Sequence, residues 1–266
     1  MSTILFDSPV FGPVKSRRLG VSLGINLLPA SRKICSFDCL YCECGFNGLK
    51  SSSDHDDKMP SRAEVASRLE STLKSMAADG QLPDVITFAG NGEPTLHPDF
   101  EGIMIDTARL RDAYAVNAKI AVLSNATRIA DPHVLNGLAL ADDAILKIDA
   151  GTSETVHFLD RPAPGYDLDR TIADIKKAMS TLGHRLVIQT MFVKWYRPDG
   201  SVTDNTSGDD LIKWLDAVNT IRPERVMIYT IARDTASSGM LKVDVDTMNS
   251  IADKIRPFVA DVAVSG

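Results

Sequence analysis

The sequence predicts a parallel α/β fold, on three observations. Short apolar, β-branched runs recur six times along the chain, each is followed by a segment of helical periodicity, and glycine or polar turns punctuate the changes. Repeated parallel units need right-handed crossovers, and their sheet either opens as a doubly wound fold or curls toward a barrel. With 266 residues, 44% hydrophobic and 24% charged, the chain can bury one large core, so a single domain over residues 1–266 is expected.

The first strand is read from Arg18 to Leu28 (RLGVSLGINLL), ended by Pro29 and followed by a cysteine-bearing loop over residues 30–48. The polar, aperiodic stretch 50–58 reads as an exposed loop, and its His55, Asp56 and Asp57 as solvated turn residues rather than a metal site. Ser61 and Glu64 form a capping box, and Val65, Leu69, Leu73 and Met76 carry a helix to Gly80. Asp84 to Gly90 is a second strand entering the turn Gly90-Asn91-Gly92-Glu93-Pro94. A helix from about Pro98 to Tyr114, a strand from Lys119 to Ala126 and a helix opened by Asp131-Pro132 follow. Asp143 to Ala150 is the fourth strand. Leu168, Ile172, Ile175, Met179 and Leu182 mark one face of a helix capped by Asp167 and ended by Gly183. Strand five is Arg185 to Val193. After a polar loop from Arg197 to Ser207, Leu211, Leu215 and Val218 stripe another helix. Strand six spans Arg225 to Ala232, and Met248, Ile251, Ile255 and Phe258 line the last helix.

The net charge of −6 argues against a broad nucleic-acid-binding surface. Lys15, Arg17, Arg18, Arg32 and Lys33 cluster before the cysteines, and read equally well as solvated charge or as a local anion patch. The N-terminus has neither a signal-peptide pattern nor a membrane-length apolar run, so a cytoplasmic protein without membrane contact is expected. Four closely spaced cysteines, free or metal-bound, fit a reducing compartment.

All four lie in CSFDCLYCEC, Cys35 to Cys44. Cys35, Cys39 and Cys42 stand in the spacing C-x-x-x-C-x-x-C, close enough for three thiolates to meet one iron-sulfur cluster. Two blander readings compete. The same positions share a face of an α-helix and could be core, since cysteine behaves as a small buried hydrophobe. Zinc is the other, although zinc usually takes paired C-x-x-C units and no second pair exists here. Three ligands on a four-iron cubane leave one iron open for a substrate or cofactor.

With Leu40 and Tyr41 before the third cysteine, this motif resembles the signature of radical S-adenosylmethionine (SAM) enzymes. The resemblance implies a partial barrel of six βα units with the cluster loop after the first strand. It implies a 4Fe-4S cluster held by Cys35, Cys39 and Cys42, SAM on the open iron, and an oxidoreductase reaction. In that reaction reductive cleavage of SAM yields a 5′-deoxyadenosyl radical for hydrogen abstraction. An electron donor such as flavodoxin or ferredoxin would supply the electron. The superfamily's Gly-Gly-Glu motif corresponds to Gly90, Asn91, Gly92 and Glu93, with Asn91 in place of the first glycine of that pair. Ser124, Asn125, Asp149 and Gln189 at strand ends are expected to hold the methionine and ribose parts. Tyr41 and Tyr229, within Ile228 to Thr230, are expected at the adenine. Each also has a structural reading as turn, cap or core.

FGPVKSRRLGVSLGINLLP, GNGEPTLHPDF, LSNAT and IYTIAR, with the cysteines, look like the wybutosine-synthesis-related group, chiefly its members of unassigned substrate. The tricycle-forming enzyme of that group holds a second cluster on three further cysteines, whereas only Cys44 is left over here. Its pyruvate chemistry therefore does not transfer, and transfer RNA remains only a minor alternative as substrate. Cys44 could be a spare ligand, a hydrogen donor or an inert thiol, and the inert reading is preferred. A noncatalytic iron-sulfur redox or nucleic-acid-binding module would need no SAM rim, and the Gly90 to Glu93 turn argues against it.

Overall fold

The protein is described here from a computed structural model, which covers residues 4–16, 20–48, 57–197, 199–232 and 235–266. Arg17 and Arg18 of the basic cluster, and residues 50–56 of the polar loop, lie outside the described residues.

In chain order the elements are β1 (Val10–Ser16), β2 (Gly20–Ile25), α1 (Arg62–Ala78), β3 (Val85–Phe88), α2 (Phe100–Tyr114) and β4 (Lys119–Ser124). There follow α3 (Pro132–Leu138), β5 (Asp143–Lys147), α4 (Ser153–Leu159), α5 (Leu168–Leu182), β6 (Leu186–Met191), β7 (Val193–Tyr196) and β8 (Val202–Asp204). The chain closes with α6 (Gly208–Ile221), β9 (Arg225–Tyr229), β10 (Met240–Lys242), α7 (Val245–Ile255) and β11 (Asp261–Ser265).

One eight-stranded sheet runs in the order β1-β2-β3-β4-β5-β6-β9-β11, and β10-β7-β8 form a small antiparallel sheet. From β2 to β11 every neighbouring pair is parallel. Only β1 is antiparallel, with Val10 opposite Ile25. The strand order decides what composition left open. A doubly wound sheet reverses direction at a switch point, whereas this order advances in one direction, so right-handed crossovers place the helices on one side. Ile86, Phe88, Ile120, Val122, Leu146, Ile188 and Val226 share a single core with the apolar stripes of α1, α2, α3, α5, α6 and α7. Their alternate neighbours Val85, Ala121, Ile145, Val187 and Met227 form a separate buried cluster on the other face. That cluster includes no helical residue, so curvature of the sheet toward a partial barrel accounts for its burial.

Local chemistry explains the elements. The Ser61–Glu64 capping box forms in both directions at α1, whose buried face is Val65, Leu69, Leu73 and Met76. Asp131, Asp167 and Asp244 cap α3, α5 and α7 by accepting backbone N–H groups. Trp214 of α6 is fully buried, and its indole N–H donates to Ile148 O and Thr190 Oγ1, both at 3.0 Å. The six expected strand-helix units are present, with differences at their margins. Among the described residues the first strand spans Gly20–Ile25, β8 forms within the expected loop 197–207, and β1, α4, β7, β10 and β11 are additional. No helix among the described residues is long and apolar enough to cross a membrane.

Candidate functional site

The loop after β2 carries all four cysteines and is built of turns, not a helix, so the shared helical face of the core reading does not exist. Its shape is held from outside. Asp38 N and Leu40 N donate to Asp160 O and Leu159 O at 2.8 and 2.9 Å, tying the loop to the end of α4. The Asn47 side chain closes the loop on itself by accepting from Cys35 N and donating to Cys35 O and Phe37 O, each at 3.1 Å.

The turn after β3 fixes where the loop begins. Ile34 N donates to Asn91 O at 2.9 Å, and Glu93 N donates to Ile34 O at 3.1 Å. Between these bonds sits Gly92, at φ 141°, where a Cβ would lie 1.8 Å from Ile34 O. The glycine is required by this close backbone approach. Glu93 is buried. Its Oε1 accepts from Thr95 N, Thr95 Oγ1 and Ser124 Oγ at 3.1, 2.7 and 2.8 Å, and its Oε2 from Asn125 N at 2.7 Å. Asn125 in turn donates to Ser36 Oγ at 2.8 Å and reaches Cys35 Sγ at 3.6 Å. One residue before the first cysteine and the cysteine itself are thus pinned to the ends of two strands.

One cavity opens above these strand ends. It is lined by Lys33, Cys35, Phe37, Cys39 and Cys42 from the loop, by Ala89, Gly90, Gly92 and Glu93 after β3, and by Leu123, Ser124, Asn125, Ile145, Lys147, Gln189 and Tyr229 from later strands. Its volume is about 220 Å³, room for part of a small ligand, and it is open at the mouth. Lys147 and Gln189 are register partners on β5 and β6, so both point to the inner face. Gln189 is 6% exposed, and among the described residues its side-chain amide makes no hydrogen bond. An amide that reaches the cavity without a protein partner can bond a polar ligand there.

The structure therefore brings together Cys35, Cys39, Cys42, Gly90, Gly92, Glu93, Ser124, Asn125, Gln189 and Tyr229. It places three expected residues behind the wall. Asn91 holds the N-terminal segment, donating to Phe6 O and Pro29 O and accepting from Phe6 N, all at 2.8 Å. Tyr41 is buried under the loop, donating to Asp149 Oδ2 and, at 3.0 Å, to Asp160 Oδ1. Asp149 also accepts from Met191 N at 2.8 Å. Of the Ile228 to Thr230 segment only Tyr229 lines the cavity. Ile228 belongs to the helix-side core, and Thr230 Oγ1 accepts from Val243 N at 2.9 Å.

Sequence reasoning missed Lys147 and Asp160. Lys147 Nζ lies 3.8 Å from Cys39 Sγ and 3.3 Å from Asp149 Oδ2, and donates to Tyr41 OH. A lysine two positions after Ile145, inside an apolar strand, is the signal that could have found it. Lys33, read as part of a surface patch, is instead buried, with Nζ 3.1 Å from Gly45 O and 3.4 Å from Asp38 Oδ1.

Burial dominates the titration of the site. It pushes the Cys35 thiol up to about 12, with Glu93 adding to the effect and Lys33 opposing it. Burial also holds Cys39 well above the ordinary thiol range, with Lys147 partly opposing. A hydrogen bond with Cys44 brings Cys42 down to about 5 and moves Cys44 upward, so the Cys44 thiol keeps its proton and donates to Gly90 O at 3.0 Å. Burial works against charge on Lys33 and Lys147, yet the surrounding thiols and carboxyls outweigh it and both are shifted up. Glu93, Asp149 and Asp160 are raised, first by burial and, for Asp149, next by Asp160. Iron displaces thiol protons on binding. Among the described residues no group of three or more His, Cys, Asp or Glu side chains converges as a single ion requires. A cubane spreads its three thiolate ligands over three irons, and three thiols around one cavity suit that ligand set better than zinc.

No family model matches the chain. It is 30% identical over 220 residues to a UPF0026 protein of Synechocystis sp., an alignment covering 82% of this chain and 74% of the relative. The chain belongs to the UPF0026 family. A UPF0026 protein of Methanocaldococcus jannaschii is 27% identical over 223 residues, covering 84% of this chain and 63% of that one. A protein of Brachyspira hyodysenteriae named GTPase Obg is 28% identical over 229 residues, of which this chain spans only 30%. This UPF0026 chain contains no Gly-Lys dipeptide and so no G-x-x-x-x-G-K-[ST] phosphate loop. Among solved structures, a radical SAM methyltransferase of Sphaerobacter thermophilus matches with a TM-score of 0.65 at 13% identity, over 91% of this chain and 65% of that one. Streptococcus suis SuiB bound to S-adenosylmethionine matches with a TM-score of 0.60 at 17% identity, over 89% of this chain and 49% of that one. The fold of this UPF0026 member is the partial barrel of radical SAM enzymes, and the chain spans about half to two thirds of those solved chains.

Proposed function

We propose that this protein is a radical SAM enzyme in which Cys35, Cys39 and Cys42 hold a 4Fe-4S cluster. The observation that carries the reading is the shared cavity. Three thiols from one loop face the unpartnered Gln189 amide, the Asn125 side chain and the Gly90–Gly92 backbone across a space open to a small ligand. The bound cluster and SAM would supply a 5′-deoxyadenosyl radical for hydrogen abstraction from substrate.

The chain's own residues bind, orient and shield. The three thiols lose their protons to become ligands, and Phe37, Leu123 and Ile145 supply apolar walls that limit water. Glu93 Oε2, carrying one hydrogen bond, keeps accepting capacity for an ammonium group, while Oε1 fixes Ser124. Gly90 and Gly92 expose backbone at the rim, Gln189 offers an amide to a ribose or carboxylate, and Tyr229 presents a ring at the end of β9. Asn91, Tyr41 and Asp149 support the wall without lining the cavity, so no cofactor contact is assigned to them. An external one-electron donor of the flavodoxin or ferredoxin class completes the reading. The motifs shared with the wybutosine-related group support a member of unassigned substrate.

Anaerobically reconstituted protein, reduced with dithionite and given SAM, should release 5′-deoxyadenosine. SAM binding without deoxyadenosine, even with cell extract added, would favour a noncatalytic redox module instead.

A further inference from the structure

Three thiolates and their cluster concentrate negative charge on the loop, and the loaded site must still accept an electron. Two buried carboxyl groups lie close to the thiols. Asp160 Oδ1 and Asp149 Oδ2 both lie within hydrogen-bond distance of Tyr41 OH directly beneath the loop. In a buried setting the field of the thiolates is poorly screened by solvent. Lys147 stands between the carboxyl pair and the thiols. Its ammonium is 3.3 Å from Asp149 Oδ2 on one side and 3.8 Å from Cys39 Sγ on the other, and it sits 4.5 Å from the centroid of the Tyr41 ring. The side chain is 19% exposed and lines the cavity, so its charge is held at the thiols rather than spread into water.

We propose that Lys147 is a positioning residue for electron entry, whose ammonium offsets the negative charge that the thiolates gather at Cys39 and so keeps the cluster reducible. The inference rests on the cluster reading given above. Lys33, a second buried ammonium lining the same cavity, acts in the same direction from the loop itself. The step is a one-electron transfer from an external donor, and dithionite serves in the assay. No bond forms or breaks. The protein's part is to offset the single negative charge gained.

The test is a redox titration followed by electron paramagnetic resonance on reconstituted wild type, Lys147→Met, Lys147→Gln, Lys147→Arg and Lys33→Met, with iron counted in each. At a fixed potential, the reduced-to-oxidised ratio should fall at least about tenfold in Lys147→Met and Lys147→Gln, a downward shift of about 59 mV for one electron. Lys147→Arg keeps the charge and should stay within about twofold of wild type, converting to under about 20 mV on the same constant. Lys33→Met should shift downward as well. A wild type that never takes up a cluster would instead remove the cysteine assignment. Loaded Lys147→Met with the wild-type ratio would overturn the inference. Variants that fold by circular dichroism but take up no iron would also overturn it, because Lys147 would then be needed for assembly rather than reduction.

Discussion

Replacing Gly92 by Ala tests how the cysteine loop is anchored. The added methyl would stand 1.8 Å from Ile34 O and 2.5 Å from Ile34 C, both backbone atoms that cannot rotate away. Three costs follow. A non-glycine residue at φ 141° is strained by about 1–3 kcal/mol. Forcing an extra methyl into packed backbone costs about 1–3 kcal/mol. Moving Ile34 aside weakens the bonds Ile34 N→Asn91 O and Glu93 N→Ile34 O, at about 1 kcal/mol each. Together these come to about 4–8 kcal/mol, a large share of the ~5–15 kcal/mol that holds a domain folded. A chain of this size loses about 2–4 °C of Tm per kcal/mol, so the melting point should fall by about 8–30 °C. Gly80→Ala is the control. Gly80 has φ 66° but nothing within 4 Å of a Cβ, so it bears only the backbone strain and should lose far less. Thermal melts of both variants, with iron uptake measured in parallel, separate the clash from the φ cost. Gly92→Ala melting no lower than Gly80→Ala, with full iron uptake, would refute the anchoring role.

Three further outcomes are expected. Cys44→Ala should keep full iron content and deoxyadenosine formation, because Cys44 holds its proton and donates to Gly90 O; loss of the cluster would make it a ligand. Trp214→Phe removes an indole N–H bonded to Ile148 O and Thr190 Oγ1 in the core, and denaturant unfolding should report a loss of about 2–4 kcal/mol; a value near zero would contradict the bonding. Asp244 caps α7, and its hydrogen bonds from Thr247 and Lys194 hold its carboxyl down at about 2. Because the folded value lies below the unfolded one, the contribution is present above about pH 4 and fades as pH falls toward 2. The melting difference between wild type and Asp244→Ala should therefore shrink over that window, and a difference independent of pH would count against it.

The parallel units were legible because strands buried on both faces read as apolar runs such as VITF and LVIQTM. The loop site was legible because its ligands are local in sequence. What lay hidden depends on contacts between distant residues. β1 contains Gly12 and Pro13 and gains its identity only by pairing with β2. β10 pairs with β7 across a long sequence gap, and β8 joins that sheet by pairing with β7. Asn91 and Asp149 follow strand ends and Tyr41 lies in the cysteine loop, yet a sequence does not say which side of a turn a side chain takes. All three point into the supporting wall. Lys147 was overlooked for the converse reason, since a strand residue was read as fold although its pleat turns it into the cavity.

The central claim is that one loop holds one cluster through three thiols, and the iron content and paramagnetic signal of the anaerobically reconstituted chain test it most directly. Wild type should bind about four irons and give a 4Fe-4S signal on reduction, and Cys35→Ala, Cys39→Ala and Cys42→Ala should each abolish both. An intact cluster in Cys35→Ala, or iron near eight per chain, would contradict the account.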